Sequence, residues 1–206
     1  MEDFKLYPGE VCTLAGPNGC GKTTLAKLLC GLYSPDKGII NLSGTGGKPT
    51  AIPTKLRTSV AYVFQNPDYQ IFLPTVQEEL AYGLKEKGMK PKEIEIRINE
   101  AIRLFRQPAL DTPPSLMSYG TRKRLQAAVY WLLERPIAIL DEADSGLSFK
   151  DFSEIIHLFK RSSRTLLIIT HNEAVARQFS ERIILMKEGH IVREESETFF
   201  SGGGEQ

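Results

Sequence analysis

The chain alternates between short, nearly continuous apolar runs and longer stretches in which apolar side chains recur every three or four positions. Runs at 11–15, 60–64, 137–140 and 165–170 have the pattern of strands buried on both faces. Helical spacing places Leu25, Leu28, Leu29 and Leu32 on one face after Lys22, and Ile94, Ile98, Ala101, Ile102 and Phe105 on another. It recurs through 75–84, from about Ser118 to Glu134, and at Phe152, Ile155, Ile156 and Phe159. Thr75-Val76-Gln77-Glu78 has the spacing of a capping box. A turn at 34–38 precedes a predicted strand at 39–42, and the Gly-, Thr- and Pro-rich segment 43–53 reads as a surface loop. A closing hairpin is predicted across Gly189 from 183–186 and 191–193, followed by a flexible tail at 201–206. Strands alternating with helices imply an α/β fold with a central, mainly parallel sheet. Residues of about 75–131 read as a helical subdomain inserted into a core of about 1–74 and 132–196, the whole chain forming one domain.

Composition narrows the function. With 26 Lys plus Arg against 25 Asp plus Glu, the net charge of +1 offers no footprint for nucleic acid or an anionic membrane surface. No apolar run approaches the ~20 residues of a membrane-spanning helix. The acidic N-terminus carries no signal-peptide pattern, and three cysteines without paired spacing fit a reducing compartment. The expectation is a soluble cytoplasmic protein.

The chemistry begins at Gly16-Pro17-Asn18-Gly19-Cys20-Gly21-Lys22-Thr23-Thr24, which fits the phosphate-loop pattern between a strand and a helix. Glycines at 16, 19 and 21 permit dihedrals that turn successive N–H groups around an anion, and the helix dipole adds to them. Lys22 would reach the β- and γ-phosphates and the Thr23 hydroxyl would ligate Mg²⁺. Strand 137–140 runs into Asp141-Glu142, at the sheet edge where ligands gather. Asp141 would hold Mg²⁺ and Glu142 would polarise the attacking water as general base. Cys20, beside Lys22 at a helix N-terminus, is expected to be a reachable thiol that labels before Cys12 and Cys30.

Together these residues resemble the nucleotide-binding domain of an ATP-binding cassette (ABC) transporter from about residue 3 to 195, implying a RecA-like P-loop NTPase core. Leu116-Met117-Ser118-Tyr119-Gly120-Thr121-Arg122-Lys123-Arg124 sits where that family carries its signature, so Ser118, Tyr119, Gly120 and Thr121 are expected to close on ATP held by an opposite subunit. Glu142-Ala143-Asp144-Ser145-Gly146-Leu147-Ser148 resembles the segment joining the catalytic glutamate to the D-loop. His171 matches the switch histidine, and Gln65 matches the glutamine that reaches Mg²⁺ and water. Residues 64–72 and 75–80 are similar to the ATPases of energy-coupling factor importers, which take up vitamins or transition-metal ions. The resemblance implies MgATP hydrolysis between two cassettes, identical or different, peripheral on the inner face of the cell membrane. A transmembrane subunit would be driven, with no nucleic acid and no direct contact with the transported solute. Residues 66–72 would line a groove for a short helix of that subunit.

Each site residue also has a plainer reading: Ser118 as an ordinary N-cap, Asn172 after His171 as a helix start, and Gln65 as a loop amide. Tyr69, Phe72 and Tyr82 would be core residues taken singly, and Tyr130 and Trp131 read as core. Tyr119, Thr121 and Ser148 depart from the family pattern. Only fifteen residues precede Gly16, so an adenine-stacking aromatic is expected to be missing, as is the C-terminal region of many energy-coupling ATPases. Rival readings are a soluble cassette of DNA repair or translation, a non-hydrolysing regulatory nucleotide-binding module, and a small-molecule kinase.

Overall fold

The computed structural model describes residues 4–42, 53–162 and 164–196. Among these, six strands form one sheet in the order β2-β3-β4-β1-β5-β6. They are β1 (Val11–Ala15), β2 (Val60–Val63), β3 (Ile137–Asp141), β4 (Thr165–Ile169), β5 (Arg182–Lys187) and β6 (His190–Ser196). The β1–β4, β3–β4 and β1–β5 pairs are parallel, and β5–β6 is the antiparallel hairpin predicted across Gly189. Val11, Cys12, Leu14, Ala138, Ile139, Leu140 and all of Leu166 to Ile169 are fully buried, which explains why these strands read as continuous apolar runs. No helix of the described residues is long and apolar enough to cross a membrane.

The helices are α1 (Lys22–Leu29), α2 (Pro53–Ser59), α3 (Val76–Glu86), α4 (Pro91–Phe105), α5 (Tyr119–Leu132), α6 (Phe149–Arg161) and α7 (Glu173–Phe179). Caps set several starts: Thr75, Ser118, Ser148 and Asn172 each accept a backbone N–H of the first turn. At Thr75 the hydroxyl accepts from Glu78 N–H at 3.2 Å and donates to the Glu78 carboxylate at 3.1 Å, one half of the expected box.

The chain divides into two compact units, one of residues 1–62, 135–142 and 163–206, the other of 63–134 and 143–162. In the first, Arg182 anchors the chain's start to the sheet: it donates to both Glu10 carboxylate oxygens at 2.7 and 3.2 Å and to Lys5 O at 2.5 Å. In the second, α3, α4 and α5 pack through Leu80, Leu84, Ile98, Phe105, Leu125 and Leu132, all buried. Phe105 and Trp131 rings lie 5.9 Å apart, and the Trp131 indole donates to Leu158 O on α6.

Two expectations fail, and one helix was not foreseen. Residues 39–42 form no strand: no described strand pairs with them, and Ile39 stands 75% exposed. Helix α1 is shorter than its apolar spacing suggested, because Gly31 turns the chain with φ 74° and the Leu32 and Tyr33 N–H groups fold back to Lys27 O. Leu32 is therefore half exposed. The segment after the predicted loop is helical, with Leu56 buried and Arg57 donating to Gly31 O at 2.9 Å. Most of 43–53, and the predicted tail, lie outside the described residues.

Candidate functional site

Strand register assembles the first cluster. Leu14 and Asp141 both lie opposite Ile169, on either side of β4. Chain segments leaving β1, β3 and β4 in the same direction therefore emerge together, bringing Gly16, Glu142 and His171 to one edge of the sheet.

The loop from Gly16 to Gly21 has positive φ at each of its glycines: 150°, 77° and 105° at Gly16, Gly19 and Gly21. At Gly16 a Cβ would stand 2.2 Å from Met186 O and 3.0 Å from Cys20 Sγ, so no other residue fits there. The chain then enters α1 with no side-chain cap at Gly21, leaving first-turn N–H groups for an anion. Lys22 is buried, and its ammonium donates to Gly16 O at 2.8 Å and Pro17 O at 3.0 Å, which curls the loop around it. Thr23 and Thr24 are exposed on the first turn. Cys20 is held by its backbone, its N–H bonded to Pro17 O and its carbonyl accepting from Gly189 N–H. Cys20 is only 5% exposed, which overturns the expectation of a reachable cysteine: its Sγ packs against Gly16, where a Cβ would stand 3.0 Å away.

Asp141 ends β3 buried, and Tyr62 Oη donates to its Oδ2 at 2.5 Å. Burial first, then the bond to Asp141, raises the Tyr62 phenol far above the usual tyrosine range, so it stays a donor. Glu142 follows in left-handed backbone, φ 46°, its N–H bonded to Ile169 O at 2.8 Å. A non-glycine residue held there is the kind of local strain found at functional sites. His171 Nδ1 lies 4.0 Å from Glu142 Oε1, and His171 is well exposed. Asn172 caps α7, so the plainer helix-start reading holds for that residue alongside any role of His171. A nearby cavity of about 400 Å³ is lined by Gly16, Thr170, His171, Asn172 and Arg177 among others. The donor set of a threonine hydroxyl and an aspartate carboxylate beside a phosphate cradle fits Mg²⁺, a hard cation that takes oxygen ligands.

The remaining predicted residues gather within the second unit. Ser118 caps α5, its Oγ accepting from Thr121 N–H and lying 2.8 Å from Thr121 Oγ1. Tyr119 Oη donates to Gln65 O at 3.2 Å, and a Cβ on Gly146 would meet the Tyr119 ring at 2.5 Å. A Cβ on Gly120 would lie 3.2 Å from Gly146 O. Ser148 caps α6 through Asp151 N–H at 3.1 Å.

Sequence reasoning missed the residues that hold Phe64, the neighbour of Gln65. Gln126 Nε2 donates to Phe64 O at 3.1 Å, and Gln70 Oε1 accepts from Phe64 N–H at 3.1 Å. Gln126 also donates to Gln70, whose Nε2 lies 2.5 Å from Tyr130 Oη. It missed Tyr62 as well. The available signal was a hydroxyl inside a doubly buried strand, which demands a partner. Tyr69, Phe72 and Tyr82 are 79%, 70% and 50% exposed, so their core reading fails, whereas Trp131 is buried.

A family model described as "ABC transporter" matches residues 2–145. An energy-coupling factor transporter ATP-binding protein EcfA of Methanocaldococcus jannaschii is 34% identical over 200 residues, 93% of this chain and 71% of the relative. The structure of cbiO1 from Clostridium perfringens, part of the ABC transporter complex cbiONQ, superposes with a TM-score of 0.83 at 30% identity, covering 97% of this chain and 82% of that one. The dimeric ATP-binding cassette MJ0796 with ADP and Pi superposes at 0.82 and 28% identity, covering 94% and 88%. With its phosphate loop, Asp141-Glu142 pair and His171 on one sheet edge, the chain belongs to the ABC transporter family, as an ATP-binding and ATP-hydrolysing cassette subunit.

Proposed function

We propose that the chain is the ATPase of an importer of the energy-coupling factor type. It would act as one cassette domain on the inner face of the cell membrane, paired with a second cassette and a transmembrane subunit. The observation that carries the hydrolytic part is the approach of Glu142 and His171, 4.0 Å apart, at the edge from which the phosphate loop emerges.

The loop's N–H groups and Lys22 bind the phosphates of ATP, with Gly16, Pro17, Asn18, Gly19, Cys20, Gly21, Thr23 and Thr24 shaping the cradle. Thr23 and Asp141 would hold Mg²⁺, which when bound neutralises charge developing on the phosphates. Glu142 takes a proton from water as its oxygen bonds to the γ-phosphorus, and the bond to the departing ADP oxygen breaks. His171 donates a hydrogen bond to the transferred group. Ser118, Tyr119, Gly120 and Thr121 present the N-terminus of α5 to nucleotide on the partner cassette.

A surface beside Gln65 supports coupling to a membrane subunit. A groove of about 480 Å³ is lined by Asp68, Ile71, Phe72, Leu73, Pro114 and Arg122, with Tyr69 and Phe72 largely exposed. Such aromatic exposure suits a partner helix. The name EcfA borne by relatives supports the importer type.

Glu142→Gln tests the reading. It is expected to keep MgATP binding, lose steady-state hydrolysis by about 10²-fold or more, and accumulate an ATP-bound dimer by light scattering. Hydrolysis at the parent rate would overturn the role of Glu142. Tyr69→Ala and Phe72→Ala are expected to impair co-purification with the membrane subunit while leaving nucleotide affinity unchanged.

A further inference from the structure

Tyr62 and Asp141 are far apart in sequence but joined in the sheet, where β2 neighbours β3. Both are nearly fully buried, at 4% and 2% exposure, and the phenol donates to Asp141 Oδ2 at 2.5 Å. A carboxylate that buried is costly without hydrogen bonds. One with a single engaged oxygen also has a fixed rotation, so its other oxygen offers its lone pairs in one direction. Phenylalanine or leucine would fill the same apolar run without this bond, so packing alone does not account for the hydroxyl.

We propose that Tyr62 is a positioning residue for the cation: by holding Oδ2, it orients Asp141 so that the remaining oxygen addresses Mg²⁺ beside the phosphate loop. This rests on the reading that Asp141 holds Mg²⁺. Outer-shell hydrogen bonds to ligating groups typically contribute about 10–100-fold in metal affinity. The bond becomes more useful when the cation arrives, because a carboxylate already oriented loses less freedom on coordination.

The test compares the parent, Tyr62→Phe and Asp141→Asn by titrating a fluorescent ATP analogue in EDTA and then at increasing Mg²⁺. Tyr62→Phe is expected to bind nucleotide in EDTA as the parent does, while the Mg²⁺ concentration giving half of the metal-dependent affinity gain rises about tenfold. Asp141→Asn is expected to shift that midpoint further. An unchanged midpoint in Tyr62→Phe, with Asp141→Asn shifted, overturns the positioning role and leaves the Mg²⁺ reading intact. No shift in Asp141→Asn overturns the underlying reading instead. Equal loss of affinity with and without Mg²⁺ in Tyr62→Phe identifies a structural role only and also overturns the proposal. Should Tyr62→Phe fail to fold by circular dichroism, 3-fluorotyrosine at position 62 gives an independent readout. Its ¹⁹F resonance is expected to move with MgATP and not with ATP in EDTA, and a resonance indifferent to Mg²⁺ overturns the proposal.

Discussion

Tyr119 Oη donates to the backbone carbonyl of Gln65 at 3.2 Å, tying the first residue of α5 to the glutamine segment. The same ring covers Gly146, where a Cβ would stand 2.5 Å from two ring carbons. Tyrosine at this position thus links three segments through one side chain, a contact that glycine there could not make.

Gly146→Ala is expected to destabilise by roughly 1–3 kcal/mol, combining that clash with the cost of a φ of 75° for alanine. In a Tyr119→Gly background the clash is gone and only the backbone part, about 1 kcal/mol, remains. A double-mutant cycle by urea denaturation checks this, and additive effects would mean that the ring moves aside freely.

Glu79 holds the segment beside the groove: its buried carboxylate accepts from the Phe72 and Leu73 N–H groups. Glu79→Ala is expected to cost about 1–3 kcal/mol by leaving these donors unpaired. Burial raises the Glu79 pKa, and the two backbone bonds offset that only in part. A raised folded pKa gives stability that is full below the unfolded value and declines as pH rises through the folded one. Glu79→Gln, whose amide oxygen still accepts, is therefore expected to gain on the parent as pH rises above the model-compound value of 4.5. Melts across a pH series decide it.

Arg182 and Glu10 form a largely buried pair, with side chains 11% and 9% exposed. Removing the guanidinium leaves the carboxylate uncompensated, so Arg182→Ala is expected to cost about 3–5 kcal/mol. Arg182→Lys is expected to recover only part, since lysine cannot reach Glu10, Glu194 and Lys5 O together. Chemical denaturation of both variants measures the difference.

All three cysteines are buried, so maleimide labelling of the native protein is expected to be slow at every site and complete in urea. Burial pushes the Cys12 thiol up to about 12 from a model-compound 9.0. The unfolded chain releases this proton first, so stability is full below about pH 9 and falls by about 1.4 kcal/mol per pH unit as pH climbs toward 12. Cys12→Ala is expected to show a shallower loss between pH 8 and 10.5 in paired denaturation curves. Parallel curves would show that the thiol does not titrate this way.

The sequence by itself determined the strands of the core, the helices of the second unit, the phosphate loop and the Asp141-Glu142 step. Each of these is written in short-range terms. Doubly buried strands need unbroken apolar runs, helices need apolar spacing near 3.6, and the loop needs glycines at 16, 19 and 21. Ser118 and Thr75 were legible as caps because a cap and its N–H partner lie three residues apart. The tertiary structure alone decided which side chains meet across long stretches of chain. Tyr62 finds Asp141 because the sheet order sets β2 beside β3, and Tyr119 finds Gln65 and Gly146 because of how α5 packs. It also decided burial against local expectation: Cys20 is buried with its Sγ against Gly16, while Tyr69 and Phe72 stand exposed. Periodicity reports which face of an element is apolar; what lies against that face depends on the packing of distant segments, and no local pattern carries that information.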